Sequence, residues 1–73
     1  MDGHIKSLDY RTGGGVILTS SGLEVPFRQR GIIDRRWTPQ IGQAVTFDLV
    51  SEGLRPLAVW IVPGIRWRAH GST

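Results

Sequence analysis

Two stretches of the chain alternate strictly between apolar and polar positions. In residues 23–28, LEVPFR, the series Leu23, Val25, Phe27 interleaves with Glu24, Pro26 and Arg28. In residues 44–49, AVTFDL, Val45, Phe47 and Leu49 interleave with Ala44, Thr46 and Asp48. A period of two is the signature of a strand with one buried face. HIKSLDY (4–10) and GVILTS (15–20) are weaker strand candidates. PLAVWIV (56–62) is a continuous apolar run with β-branched residues, which reads as a strand buried on both sides or at its rims, with Trp60 in the core. Turn signals separate these segments: RTGG, SSG, TPQIG, SEG and PG. The longest connection runs from Arg28 to Gly42, with room for one helical turn around Gly31–Asp34. Five short strands in about 60 residues predict an all-β chain, a small closed barrel, because closure removes the edges of so small a sheet. Residues 1–63 form the barrel in this reading, and 64–73 form a flexible tail.

The stretch TGGGVI, Thr12–Ile17, is an unusual way to enter a strand. Glycine costs entropy in a strand and leaves nothing to pack, so three in succession need a reason. They cradle a phosphate, make a turn, or stand where other side chains would be. The first option is weak: no Lys-Ser/Thr follows, and a strand rather than a helix comes next.

Charge is informative once it is located. The chain has 73 residues and a net charge of +3. Four arginines, Arg28, Arg30, Arg35 and Arg36, stand against one acid, Asp34, in residues 26–40, so the excess lies in the long connection. Arginine offers a planar fork that suits phosphate and stacks on rings. A local cluster of this kind points to a polyanion or an acidic protein; a solvated basic loop is the alternative. There is no cysteine, hence no disulfide or thiolate metal site. His4 and His70 have no carboxylate at metal-ligand spacing, Ser20 and Ser21 have no evident base, and the carboxylates are scattered. The expectation is a cytoplasmic protein that is not an enzyme, carries no cofactor or metal, and does not enter a membrane.

Taken as a series of anchors, MDGHIKSLDY, TGGGVI, LEVPFR, IGQAVTFDLV and GLRPLAVWIV, the chain resembles the cold-shock domain. That family begins Met-x-Gly-x-Val-Lys-Trp-Phe-Asn, continues Lys-Gly-Phe-Gly-Phe-Ile and Val-Phe-Val-His, then Gly-x-x-Val-x-Phe and Gly-Pro-x-Ala-x-x-Val. The resemblance implies a five-stranded OB-type barrel that binds single-stranded RNA or DNA. It places Ile5, Ile17, Val25, Phe27, Val45, Phe47, Ala58 and Ile61 in the barrel wall.

The departures lie on the face that the family uses for stacking. Ser7 stands for a tryptophan, Gly14 and Val16 for two phenylalanines, Pro26 and Arg28 for a phenylalanine and a histidine, and Thr12 for a lysine. Base–aromatic stacking is worth about 1–3 kcal/mol per base, so the loss removes most of a family member's affinity. On this account Gly14 is an emptied ring position, and phenylalanines introduced at 14 and 16 would point outward at small cost. The residues left to bind nucleic acid are Lys6, Tyr10, Arg28, Arg30, Arg35, Arg36 and Trp37. Trp37 either meets bases or folds down on the barrel, and Trp67, between Arg66 and Arg68, either contacts a partner or packs on the rim. Two functions follow. One is a module that binds single strands weakly, mainly by electrostatics, with steep salt dependence. The other is a protein-interaction module that reuses the surface around Gly14, Val16 and Pro26.

Overall fold

The computed structural model describes residues 1–64. It is all-β: β1 (Asp2–Asp9), β2 (Gly14–Thr19), β3 (Glu24–Phe27), β4 (Ala44–Glu52) and β5 (Arg55–Pro63), with a single 3-10 turn at Gln29–Gly31. The strands close into a barrel of the OB type, in the order β1-β2-β3-β5-β4. The short helical turn therefore falls earlier than Gly31–Asp34. The expectations for Trp67 and the tail lie, from residue 65 onward, outside the described residues.

The alternating segments fold as their pattern requires. Val25 and Phe27 of β3 and Val45 and Phe47 of β4 are buried, as are Ile5, Ile17, Ala58 and Ile61. All eight expected wall positions thus form the core. Ile32 joins them from the long connection, where no alternation announced it.

Closure depends on one short contact. All neighbouring strands pair antiparallel except β3 and β5, which run parallel through a single partnered pair, Phe27 and Ala58. The bridge Ile32–Ile61 continues the same seam, and the Ile33 N–H donates to the Ile61 carbonyl at 3.2 Å. Parallel neighbours need a crossover connection. The chain from Arg28 to Gln43 supplies it by passing over one end of the barrel. It is then pinned to β1, where the Gly42 N–H donates to Ile5 O at 2.7 Å and the Ile5 N–H to Gln43 O at 2.9 Å. On the other side β1 reaches β4 through only three pairs, Asp2–Thr46, Gly3–Val45 and His4–Ala44.

The three glycines are structural. Gly13 has φ +79°, a left-handed conformation, and a Cβ there would lie 2.7 Å from Gln29 Oε1. A Cβ on Gly14 would lie 2.4 Å from the carbonyl oxygen of Phe27, and one on Gly15 would lie 2.2 Å from that of Ser7. These neighbours are main chain, so they cannot swing aside. Gly14 is buried, not an emptied ring position, and the expectation that a phenylalanine there would point outward at small cost is overturned. The alternation with Val16 does put residue 14 on the outer side of β2, but the end of β3 closes over it. Val16 itself keeps that outer side open, opposite Ser7 on β1 and Pro26 on β3.

β5 is not buried on both faces. Between the pairs Thr46–Val62 and Asp48–Val59, one residue of β4, Phe47, faces two of β5, Trp60 and Ile61. This is a β-bulge. It inverts the phase of the strand, so Ala58 and Ile61 both point inward. Trp60 is expelled at 64% relative exposure, which corrects its placement in the core. Its φ of +56° makes it the one non-glycine residue with positive φ among the described residues. A bulky side chain in that region is an outlier costing on the order of 1–2 kcal/mol.

Two stability measurements follow. Gly15→Ala should lower the melting temperature by at least about 4 °C, since a strained substitution costs more than about 1 kcal/mol, while outward Val16→Phe should leave it near that of the wild type. Equal behaviour of the two variants would contradict the close approach at Gly15. Trp60→Gly should stabilise by about 1 kcal/mol, or roughly 4–8 °C, by relieving the left-handed conformation; a fall in melting temperature would show that Trp60 packs more than its exposure indicates.

Candidate nucleic-acid interface

Two turns build one end of the barrel. In the β1–β2 connection, Asp9 Oδ1 accepts the Arg11 N–H at 3.0 Å and Asp9 O accepts the Gly13 N–H at 2.8 Å. Thr12 Oγ1 accepts the Gly14 N–H at 3.2 Å. An aspartate side chain that holds the backbone two residues on is a standard turn-former. It leaves Tyr10 at the tip, 85% exposed. In the long connection Asp34 repeats the device: its Oδ1 accepts the Arg36 N–H at 2.9 Å, and its carbonyl accepts the Trp37 N–H at 3.1 Å. This turn throws Arg35 and Arg36 outward and brings Trp37 down against the core beside Leu8.

Between the two turns lies a cavity of about 430 Å³. Its lining includes Leu8, Tyr10, Gly14, Arg30, Arg35 and Trp37. The volume is within the range of small-molecule sites, about 300–1,000 Å³. A second concavity, lined by Thr12, Arg28, Gln29 and Arg30, adjoins it through Gln29 and Arg30. One wall of the first cavity carries an unmet donor. Trp37 Nε1 is sealed from solvent and has no hydrogen-bond partner. Trp37 thus folds down on the barrel, and its unmet donor costs about 1–3 kcal/mol.

The seven expected binding residues divide into two sets. Tyr10, Arg30, Arg35 and Trp37 meet at the cavity. Lys6, Arg28 and Arg36 do not line it. Lys6 Nζ lies 2.5 Å from Glu24 Oε2 and spans the outer face of β2 to reach it. Arg28 grips Glu52 with both ends of its guanidinium; Nη1 donates to Oε2 at 2.6 Å and Nη2 donates to Oε1. Arg36 Nε stands 3.5 Å from Asp34 Oδ1 with its side chain 94% exposed. Arg30 and Arg35 are in no ion pair or side-chain hydrogen bond with a described residue. The acids that compensate Lys6 and Arg28 are 18 and 24 positions away in the sequence, so no local charge pattern announces them.

The face expected to have lost its rings is arranged as a row of Ser7, Val16 and Pro26, adjacent across β1, β2 and β3. It offers no aromatic side chain and no unpaired cation. Among the described residues no three histidine, aspartate or glutamate side chains cluster as a metal site would require.

No protein-family model matches the chain, and no curated protein matches it in sequence.

The Arg28–Glu52 pair gives a pH dependence with a definite sign. Hydrogen bonds from Arg28, aided by the charges of Arg28 and Arg30, hold the Glu52 carboxyl below its usual range against the opposing effect of desolvation. The same bond raises Arg28 above its ordinary value. A carboxyl depressed in the folded state contributes stability that is complete above the ordinary carboxylate range and lost as pH falls through the folded value. Glu52→Gln should therefore destabilise at neutral pH and make less difference at acid pH, as the wild-type carboxyl takes up its proton. Denaturant midpoints at the two pH values check this. An equal gap between variant and wild type at both would mean that the pair does not titrate as described.

Proposed function

We propose that this chain is a cold-shock-like module that binds single-stranded RNA or DNA weakly, chiefly by electrostatics, at the end of the barrel rather than along its sheet. The observation that carries this reading is the convergence of two unpaired arginines, Arg30 and Arg35, and two aromatic residues, Tyr10 and Trp37, on one cavity. Arginine forks and exposed rings are the two elements from which sequence-tolerant single-strand sites are built. The closed five-stranded barrel and the buried anchor positions are compatible with the cold-shock resemblance.

A second reading, a protein-docking module, draws on Trp60. An exposed tryptophan held in a costly conformation on β5, outside the cavity lining, has the composition of an interface hot spot. The first reading is preferred because four of the seven expected residues meet at one place.

The ion pairs set the expected salt response. Affinity for single strands falls with salt with a slope of about −0.7 per neutralised phosphate. Five available cations, Lys6, Arg28, Arg30, Arg35 and Arg36, would give about −3.5. With Lys6 and Arg28 already held by Glu24 and Glu52, the slope for an oligouridine should lie between about −1.4 and −2. Titration at three salt concentrations tests this: a slope near zero removes the electrostatic reading, and one near −3.5 shows that the two ion pairs open on binding.

A further inference from the structure

The outer sheet face and the end of the barrel have different capacities. Along the sheet, the row Ser7–Val16–Pro26 has no ring on which a base would lie. The cations flanking it, Lys6 and Arg28, are committed to Glu24 and Glu52. A strand laid across this face would find neither stacking nor charge. The barrel end holds both, but only within one cavity of about 430 Å³. Gly13 and Gly14 both line it, Gly13 partly exposed and Gly14 buried beneath the end of β3. Its wall includes the Trp37 indole, whose N–H is sealed from solvent and unpartnered, so an acceptor in the cavity reaches it only if the ring turns. Arg30 and Arg35 stand in the same lining and form no ion pair with a described residue.

A flat ring with hydrogen-bond acceptors on its edge, attached to an anion, is a nucleotide. We propose that the cavity is a single-nucleotide subsite: one base of a single strand leaves the stack and enters against Tyr10 and Trp37, accepts a hydrogen bond from Trp37 Nε1, and has its phosphate held by Arg30 and Arg35. This deepens the single-strand reading and rests on it. It makes the footprint one base, in place of the row of bases that a ring-bearing sheet would hold. It also gives the buried donor and the two arginines outside any described ion pair one common purpose.

The test uses the whole chain, nitrogen-15 labelled, with the Trp37 indole N–H signal assigned by its disappearance in Trp37→Phe. Uridine 5′-monophosphate, uridine and inorganic phosphate are titrated separately, followed by an eight-residue oligouridine. The expected result is that the nucleotide shifts the Trp37 indole and the Gly13 and Gly14 amides. It should bind at least about tenfold more tightly than uridine or phosphate alone, since ring and anion are each engaged. In Arg30→Gln, Arg35→Gln the advantage of the nucleotide over uridine should shrink to about twofold or less. The oligouridine should move the same signals, and excess nucleotide should displace it.

If the oligouridine binds but moves Ser7 and Val16 signals and leaves Trp37 unmoved, the subsite is wrong while the single-strand function stands. If phosphate binds as well as the nucleotide, the cavity is an anion site and the proposal falls. If the nucleotide binds at Trp37 and the oligouridine binds nowhere, the cavity serves a free nucleotide and the single-strand reading falls with the subsite. If no probe moves any signal, both fall.

Discussion

The fold depends on how the barrel is closed. Five strands cannot surround this core unless β3 and β5 meet, and they meet in parallel through one pair, Phe27 and Ala58. Much of the architecture serves that seam. Ala58 is small and fully buried. Gly31, in the 3-10 turn, has no room for a side chain of ordinary reach, since a Cβ there would lie 3.0 Å from the Ala58 carbonyl oxygen. Ile32 then pairs with Ile61 and prolongs the contact into the core. Parallel closure requires the chain to cross the barrel end between β3 and β4. The cavity at that end is a by-product of the crossing: the loop that completes the sheet also roofs a space above Leu8, and it carries Arg30, Arg35 and Trp37 to the rim.

Close packing of main chain against main chain is the second recurring condition. It explains the glycines of β2 better than any lost function does. The carbonyls of Phe27 and Ser7 approach Gly14 and Gly15 from the two neighbouring strands, as expected where a tightly coiled sheet turns a corner. The same sheet must also shift phase on the opposite side. The bulge at Trp60 and Ile61 lets β5 bury both Ala58 and Ile61, and its cost is paid by a tryptophan in a left-handed conformation.

The inner face of the barrel was legible in the sequence because each wall residue belongs to a period-two pattern or to an anchor of the cold-shock resemblance. Ile5, Val25, Phe27, Val45 and Phe47 all came from these signals. Trp60 was misplaced because a continuous apolar run carries no phase, so a one-residue insertion in the pairing leaves no mark in it. Gly14 was misread because its constraint comes from a carbonyl 13 positions later, at Phe27. The candidate site was half visible. Residue type and locality selected Tyr10, Arg30, Arg35 and Trp37, but equally Lys6 and Arg28, whose charges are answered by acids on distant strands. No local pattern separates a free arginine from a committed one.

The meagre contact between β1 and β4 leaves a further mark. After Phe47, β4 runs on to Glu52 with β5 as its only strand partner among the described residues, so one edge of that stretch keeps its backbone groups unpaired. With Leu49 and Val50 part-exposed, such an edge invites a second molecule to extend the sheet. Two copies pairing antiparallel about Val50 would set Asp48 of each against Glu52 of the other. The repeated like-charge encounter penalises that register. The hairpin thus carries its own penalty against that edge-to-edge pairing, made from two carboxylates, one of which is also held by Arg28.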